Sequence, residues 1–292
     1  MKTLGFIGTG GMGSGMAANL IKAGYKLSVT DLKREQAKAL EALGADFKDS
    51  PKAVAESCDL VLSMLPHNEA VTAVALGKGG LAEATTGAKV WIDFSSIDKA
   101  TIVAASDHLT PKGWTIVDAS AGGVEEVAAA GQLALWISGS KALFDEHQPI
   151  FKPMAKSILY VGELGNAKMV KNAMAMLAAV QHMTLVEIGS WLKKGGLDDA
   201  TFKTILENSQ QDSVATRRIM EIVVSRQFKP RKSWMPKDVG FGLDMARDME
   251  VPMPFVSLAS QMFAIAQATG QDGYEATGIA CNVYDVINGV KK

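Results

Sequence analysis

The residues with the clearest chemical potential form a glycine-rich segment near the start of the chain. Residues 8–13 read Gly-Thr-Gly-Gly-Met-Gly, which is the pattern G-x-G-x-x-G. The segment follows a short apolar run, Leu4–Ile7, and opens a helical pattern at Gly13–Ala23. In such a turn the first glycine permits a sharp bend, the second admits a pyrophosphate, and the third lets the helix pack against the strand. The segment therefore predicts a dinucleotide site, and the alternative is a purely structural glycine turn.

The same region carries a carboxylate that bears on the choice of dinucleotide. Asp31 lies 18 residues after Gly13, at the end of the second predicted strand. A carboxylate there binds the ribose hydroxyls and repels a 2′-phosphate, so the sequence favours NAD over NADP. Lys33 and Arg34 could offset that repulsion, although a solvated helix start is the simpler interpretation of the pair. The cofactor-binding residues predicted here are Gly8, Gly10, Gly11, Met12, Gly13 and Asp31.

Short apolar runs alternate with helical patterns through the first half of the chain. Runs that are apolar on both sides are typical of buried parallel strands. The predicted strands are Leu4–Ile7, Lys26–Thr30, Leu60–Met64, Val90–Asp93, Thr115–Asp118, Leu133–Ser138 and Ser157–Val161, and the helical patterns include Gly13–Ala23 and Arg34–Leu43. This alternation indicates an α/β Rossmann domain with a doubly wound, mostly parallel sheet and helices on both faces.

The character of the sequence changes after Gly165. Lys168–Lys193 is one long helical pattern that is apolar on most sides, as expected of a helix buried inside a domain. Only helical patterns follow, at Ala200–Asn208, Ala215–Val224, Val239–Met249, Phe255–Thr269 and Tyr274–Ile287. We therefore predict a dinucleotide-binding Rossmann domain at residues 1–163 and an all-helical domain for substrate binding and oligomerisation at residues 164–292.

Composition excludes several classes of function. The 292 residues carry a net charge of −1, which lacks the basic excess that a nucleic-acid partner requires. No apolar stretch is long enough for a membrane span, and the start of the chain does not resemble a signal peptide. Cys58 and Cys281 lie far apart in apolar contexts and are interpreted as reduced, buried thiols. Without a Cys/His cluster no metal site is predicted. We expect a cytoplasmic protein.

Further motifs follow in a fixed order along the chain. Together with residues 5–24, they are Met64-Leu65-Pro66, Asp93-Phe94-Ser95-Ser96, Asp118-Ala-Ser-Ala-Gly-Gly123, the segment 162–171, and Lys237-Asp-Val-Gly240. In this order and spacing they resemble the β-hydroxyacid dehydrogenase family along essentially the whole chain. The resemblance implies hydride transfer between NAD and the carbinol carbon of a small hydroxy acid or its aldehyde. We expect cofactor contacts also at Leu65, Pro66, Ser96 and Lys237, and substrate contacts at Ser96, Gly122, Gly123, Met174, Trp234 and Asp238.

The resemblance also implies a catalytic lysine in the segment 162–171. Ungapped spacing places it at Lys171, whereas the local pattern Lys168-Met-Val-Lys-Asn172 would place it at Lys168. The residues three, four and seven positions after Lys171 are apolar or small, so an ammonium group there is poorly solvated. Such a lysine can exchange a proton with a substrate hydroxyl. Lys171 is therefore the predicted acid/base, while Lys168 in that role and a snorkelling, surface Lys171 stay as alternatives.

Some residues of the predicted substrate site depart from the family pattern. Gly122 stands where the family has a serine, and Met174 and Ala175 stand where it has two asparagines. Backbone N–H groups of Gly122 and Gly123 can still hold a carboxylate. Because polar side chains are missing, the departures predict a pocket that is larger or less polar than one for 3-hydroxyisobutyrate.

Several functional alternatives stay open at this level. A loop shorter than the family's carries Arg231, Lys232 and Trp234, and one of its cations is a candidate for an anionic substrate group, against a solvated loop. Reduction of another small aldehyde, such as tartronate semialdehyde, succinic semialdehyde or sulfolactaldehyde, or of an imine, is an alternative reaction. A catalytically silent dinucleotide-binding module is the non-enzyme alternative. The apolar C-terminal helices predict a homodimer or homotetramer.

Overall fold

The structure, a computed structural model, describes residues 2–231 and 233–289. The chain divides into two compact units, Met1–Lys171 and Asn172–Lys292. The division falls within helix α8 (Asn166–Lys194), so the first turns of that helix belong to the first unit. The boundary near residue 163 stays a prediction.

A single sheet organises the first unit. In the described residues its eight strands are Thr3–Ile7 (β1), Lys26–Thr30 (β2), Asp46–Phe47 (β3), Leu60–Ser63 (β4), Val90–Asp93 (β5), Thr115–Gly122 (β6), Leu133–Gly139 (β7) and Ala155–Tyr160 (β8). Their order is β3-β2-β1-β4-β5-β6-β7-β8, and all neighbours are parallel except β6 and β7. The predicted doubly wound, mostly parallel sheet is therefore confirmed. The order reverses between β1 and β4, and crevices at such switch points bind ligands.

Alternation along the strands explains why both faces of the sheet are covered. Leu60 and Leu62 of β4 pack into one apolar core, together with Leu20 from the first helix. Val61, between them, points into the other core, together with Ile102 from a helix on the opposite face. Successive side chains of a strand point to opposite faces, so a strand that is apolar throughout requires helices on both sides.

The helices of the first unit connect these strands. They are Gly11–Lys22 (α1), Lys38–Ala42 (α2), Pro51–Glu56 (α3), Asn68–Leu76 (α4), Lys99–Leu109 (α5), Glu125–Ala129 (α6), Lys141–Phe151 (α7) and the start of α8. The segment Arg34–Leu43, predicted as one helix, is instead a 3₁₀ turn at Arg34–Ala37 followed by α2. The short strand β3 escaped prediction because two residues show no periodicity.

One strand is longer than the sequence predicts, and the extension matters for the site. The prediction ends this strand at Asp118, whereas β6 continues to Gly122. Antiparallel pairing with β7 sustains it, since Ser120 lies opposite Trp136 and Gly122 opposite Ala134. Gly122 is therefore a strand residue with a side-chain neighbour on the adjacent strand.

The second unit is built from the rest of α8 and five further helices in its described part. These are Asp199–Glu207 (α9), Val214–Ser225 (α10), Met235–Asp248 (α11), Pro254–Ala268 (α12) and Ala276–Ile287 (α13). Helix α11 begins earlier than the predicted Val239 because Pro236 lies in its first turn, where a missing N–H breaks no helical bond. Cys58 and Cys281 are free and buried, as predicted. Among the described residues, no helix has the length and apolar composition needed to cross a membrane.

Candidate active site

The glycine segment forms a turn whose geometry requires glycine at two positions. Gly8 has φ +90°, and a Cβ there would lie 2.4 Å from the Met64 carbonyl oxygen. A Cβ on Gly13 would lie 2.0 Å from the carbonyl oxygen of Gly8, so helix α1 must pack directly on the turn. Around Gly10, by contrast, no atom lies within 4 Å of the Cβ position. The backbone of this turn is therefore open to a ligand at the N-terminus of α1.

Two further residues predicted to bind the cofactor, Gly11 and Met12, lie in the first turn of α1. Met12 is half-buried and packs against the apolar core under the sheet. Gly11 is the first residue of α1, and a Cβ on it would meet the Glu125 carboxylate at 2.1 Å. Glycine at position 11 therefore leaves room for a side chain from α6.

Asp31 lies beside the glycine turn, as the predicted ribose contact requires. Its Oδ2 accepts the N–H of Thr9 at 2.7 Å, and its Oδ1 accepts the N–H of Lys33 at 2.9 Å. These bonds hold the carboxylate against the end of β1. The Arg34 guanidinium pairs with the Glu41 carboxylate at 3.0 Å and lies 4.8 Å from the centre of the Phe47 ring.

The loops after β4 and β5 meet at the same edge of the sheet. The N–H of Leu65 donates to Ser95 Oγ at 2.9 Å, and Leu65 Cδ2 lies 3.0 Å from the Cβ position of Gly8. Pro66, the next residue, is exposed, and Ser96 is half-buried. The structure therefore brings Leu65 to the glycine turn. Ser96 directly follows Ser95, whose hydroxyl accepts the Leu65 N–H.

A buried charged cluster lies where β5, β6 and α8 meet. Asp93 ends β5, Asp118 lies in β6, and Lys168 is in the first turn of α8; all three side chains are fully buried. Lys168 Nζ lies 2.9 Å from Asp93 Oδ2 and 3.0 Å from Asp118 Oδ1. It also donates to the carbonyl oxygens of Asp93 at 2.9 Å and Ala119 at 2.8 Å. We refer to Asp93, Lys168 and Asp118 as the charged triad.

The triad controls the protonation of its own lysine. Burial by itself lowers the pKa of Lys168, but the carboxylates of Asp93 and Asp118 outweigh it and raise that pKa above its ordinary value. An ammonium group has three N–H donors, and here it has four acceptors within bonding distance. Lys168 is therefore held as a protonated, fully bonded cation.

Three serine hydroxyls also donate to the two carboxylates. Asp93 Oδ1 accepts from Ser63 Oγ and from Ser95 Oγ, both at 2.6 Å. Asp118 Oδ2 accepts from Ser138 Oγ at 2.7 Å. Sequence reasoning noted Asp93, Ser95 and Asp118 within motifs but did not predict this cluster, and it treated Lys168 only as an alternative to Lys171. A usable signal was present, since two acids, a lysine and serines occupy otherwise apolar strand and helix patterns.

The predicted substrate residue Gly122 has an aromatic neighbour that its sequence position does not reveal. A Cβ on Gly122 would lie 2.7 Å from Cη2 and 3.2 Å from Cζ3 of Trp136, on the adjacent strand β7. The indole thus occupies the volume that a serine side chain would take. The space beside Gly122 is therefore filled by an apolar ring and is not empty. Gly123, with φ +146°, follows at the end of the strand.

Within the second unit, three predicted residues lie together at the start of α11. Lys237 Nζ lies 3.5 Å from Asp238 Oδ1 and 5.4 Å from the centre of the Trp234 ring. Asp238 is buried and Trp234 is exposed. Met174, on α8, is also exposed, and Lys232 lies outside the described residues.

The residues present fit a dinucleotide and give no sign of a metal centre. A glycine turn with an open Cβ position, a helix N-terminus and a fixed carboxylate at the end of β2 together provide the donors and acceptor that a pyrophosphate and a ribose require. No group of three or more metal-ligating side chains occurs in the part of the chain that the structure describes.

Comparison with known proteins agrees with this geometry. Residues 3–162 match the family model of the NAD binding domain of 6-phosphogluconate dehydrogenase, and residues 165–281 match that of the NAD-binding of NADP-dependent 3-hydroxyisobutyrate dehydrogenase. The chain is 30% identical to 2-(hydroxymethyl)glutarate dehydrogenase of Eubacterium barkeri, over 98% of this chain and 96% of that one. It is also 30% identical to glyoxylate/succinic semialdehyde reductase 2, chloroplastic, of Arabidopsis thaliana, over 92% of this chain and 75% of that one.

A solved structure extends the similarity to the whole fold. The 3-hydroxyisobutyrate dehydrogenase of Mycobacterium tuberculosis, determined with L-serine, has a TM-score of 0.88 and 26% sequence identity. The match covers 97% of this chain and 99% of that chain. From the matched models, the relatives and the glycine turn with its carboxylate, we conclude that the chain belongs to the β-hydroxyacid dehydrogenase family of NAD(P)-binding oxidoreductases.

Proposed function

We propose that the protein transfers a hydride between NAD and a small hydroxy acid or its semialdehyde, with Lys171 as the proton donor and acceptor. Bound at the glycine turn, NAD supplies the hydride acceptor for oxidation, and NADH supplies the donor for reduction. The carbinol also loses its hydroxyl proton when it is oxidised. A protein group must accept that proton and return it to the carbonyl oxygen in the reverse direction.

The observation that carries the assignment to Lys171 is the bonding of Lys168. Lys168 donates to Asp93 and to the Ala119 carbonyl oxygen, and the carboxylates of the charged triad raise the pKa of this lysine against the effect of burial. A lysine in this setting keeps its proton and is a poor acid or base near neutral pH. Lys171 lies three residues later on α8 and is half-buried. These facts support Lys171 rather than Lys168 as the acid/base.

The surroundings of Asp31 support NAD as the preferred cofactor. Its carboxylate is fixed beside the glycine turn by the N–H of Thr9, where it would accept bonds from ribose hydroxyls and repel a 2′-phosphate. The Arg34 guanidinium is paired with the Glu41 carboxylate and lies over the Phe47 ring, so these two side chains already engage its charge. We expect an Asp31→Ser variant to lose affinity for NADH and gain affinity for NADPH.

The substrate we propose is a small β-hydroxy acid or the matching semialdehyde. Backbone N–H groups of Gly122 and Gly123 are suited to its carboxylate. The Trp136 ring against Gly122 supports a less polar substrate than one held by a serine hydroxyl. The relatives are named for 2-(hydroxymethyl)glutarate, glyoxylate and succinic semialdehyde, which are all small carboxylates. Ser96, Met174, Trp234 and Asp238 remain our candidates for other substrate contacts, and Leu65, Pro66, Ser96 and Lys237 for cofactor contacts.

One assay series tests this function. The purified protein is titrated with NADH by fluorescence and then assayed at the NADH absorbance band against hydroxy acids and semialdehydes. We expect a Lys171→Ala variant to lose about 10²–10⁴-fold in kcat while it keeps the NADH affinity of the unsubstituted chain. Lys194→Ala, an exposed lysine on the same helix, is the matched control and should keep full activity.

Two results would contradict the proposal. Tight NADH binding without turnover of any substrate would instead support a catalytically silent dinucleotide-binding module. Full activity of Lys171→Ala, together with loss of activity in a Lys168 variant, would transfer the acid/base role to Lys168.

A further inference from the structure

The charged triad is not needed to fill the core, because an apolar group could fill the same volume. Moving charges from water into a protein interior costs several kcal/mol per ion, and buried ion pairs are often no more stabilising than apolar replacements. Here two carboxylates and one ammonium are fully buried and carry one excess negative charge. Such a cluster is explained better by the geometry that it fixes than by the stability that it adds.

The geometry fixed by the triad is the start of helix α8. Asp118 Oδ2 accepts the N–H groups of Gly165 at 3.0 Å and Ala167 at 3.1 Å, so it binds the first turn of the helix. Ser138 Oγ accepts the Ala167 N–H at 3.1 Å as well. Lys168 then ties this turn to the carbonyl oxygens of Asp93 and Ala119. The first turn of α8 is therefore attached to both β5 and β6.

The attachment continues toward the glycine turn. Asp93 Oδ1 binds Ser95 Oγ, which in turn accepts the N–H of Leu65, beside Gly8. Lys171 lies three residues after Lys168, and a helix rises about 1.5 Å per residue, so the two backbones are roughly 4.5 Å apart along the axis. The position of Lys171 thus depends on a bonded network that reaches the loop against the cofactor turn.

We propose that Lys168 is a positioning residue, which acts through Lys171 by anchoring the first turn of α8 to the end of β5 and the middle of β6. This inference rests on the proposed function, in which Lys171 exchanges the proton. Misplacement of a catalytic group by about 1 Å can cost about 100-fold in rate. Loss of the anchor should therefore lower kcat, whereas the cofactor turn itself stays intact.

The primary test removes the ammonium with and without compensation of its charge. Lys168→Met leaves two buried carboxylates without their cation, so its stability will fall as well. In Lys168→Met/Asp93→Asn the original excess of one negative charge is restored, which should recover much of the stability, measured by urea unfolding. We expect both variants to have kcat reduced about 10- to 100-fold, with any loss of NADH affinity below about threefold. If the double variant regains the kcat of the unsubstituted chain, charge balance alone matters and the positioning role is wrong.

A milder variant keeps the test valid if the first two fail to fold. Ser138→Ala removes one bond to Asp118 and one to Ala167 but leaves all three charges of the triad in place. The net contribution of a single hydrogen bond is a small part of the stability of a folded chain, so folding should survive. We expect a fall in kcat of about threefold to tenfold with an unchanged KM for cofactor. A tenfold fall corresponds to about 1.4 kcal/mol in the activation free energy. Unchanged kcat would overturn the proposal.

A second readout separates action through Lys171 from general damage. In a Lys171→Ala background, a small amine such as ethylamine replaces the missing acid/base in solution. If Lys168 acts through Lys171, Lys168→Met/Asp93→Asn should reduce this amine-dependent rate by less than about threefold, because coupled residues are not additive. A full 10- to 100-fold loss would show a role independent of Lys171. Full activity of Lys171→Ala without amine would instead refute the proposed function itself.

Discussion

Steric coupling between Gly122 and Trp136 can be tested by a double-mutant cycle. Carbon atoms in contact normally lie about 3.5–4.0 Å apart, whereas a Cβ on Gly122 would lie 2.7 Å from Cη2 of the indole. The ring would have to move by about 1 Å, and its attachment to β7 limits that movement. Overpacking of this kind costs about 1–3 kcal/mol. We therefore expect Gly122→Ser to lower the free energy of unfolding by this amount.

The cycle uses Trp136→Leu as its second arm. Leucine lacks the ring atoms that a residue at position 122 would meet, so the serine should be tolerated in that background. We expect a coupling free energy of about 1–2 kcal/mol between the two positions, measured by urea unfolding monitored by circular dichroism. Gly273→Ser is the matched control, since no atom lies within 4 Å of its Cβ position and the substitution should change stability by less than about 0.5 kcal/mol.

The outcome that refutes this reasoning is additivity. If Gly122→Ser costs the same free energy in the Trp136→Leu background as in the unsubstituted chain, the indole does not exclude a side chain at position 122. A supporting result would also give a functional variant, because Gly122→Ser/Trp136→Leu restores a serine where the resembled family has one. Its preference should then shift toward more polar substrates in the same assay panel.

Three further predictions concern other parts of the molecule. Gly13→Ala should weaken NADH binding more than tenfold in fluorescence titrations, because its Cβ would lie 2.0 Å from a backbone oxygen of the turn; unchanged affinity would contradict the fit. Burial lowers the pKa of His182, so the folded state binds the imidazole proton less well than the unfolded chain does. The free energy of unfolding is therefore retained above about pH 6.5 and falls as the pH drops below that value. Urea unfolding at several pH values should show a less steep fall in His182→Gln. Trp191 is 73% exposed and Phe255 76% exposed in the second unit, and we expect sedimentation to give a dimer or tetramer that Trp191→Glu weakens; a monomer at micromolar concentration would contradict this.

Local sequence patterns were sufficient for the fold class and for the dinucleotide site. Strands that are apolar on both faces can only be buried in a covered sheet, so the run at Leu60–Ser63 already required helices on both sides. The glycine turn is equally local, because the bend at Gly8, the helix packing at Gly13 and the carboxylate of Asp31 act within a single strand–helix–strand unit. The residues predicted for this site lie within that unit, so their spacing carries the information.

The bonding that surrounds Lys168 needed the tertiary structure. Lys168 and Lys171 lie on one helix in similar apolar contexts, and their spacing left both as candidates for the acid/base. The bonding of Lys168 could not be read from its spacing, because Asp93 and Asp118, which lie against it, are 75 and 50 residues upstream. Only the parallel pairing of β5 and β6 brings these carboxylates together under the start of α8.

Gly122 shows the same division between local and tertiary information. The sequence by itself marked the position as a departure from the family serine and predicted a pocket that is larger or less polar. It could not show what lies beside the glycine, because that neighbour lies on another strand. Antiparallel pairing of β6 and β7 places Trp136 over the glycine and fills the space with an apolar ring. The sequence alone thus determined which backbone turns and helices form, whereas the packing of distant strands decided that Lys168 is held as a cation and that Trp136 lies against Gly122.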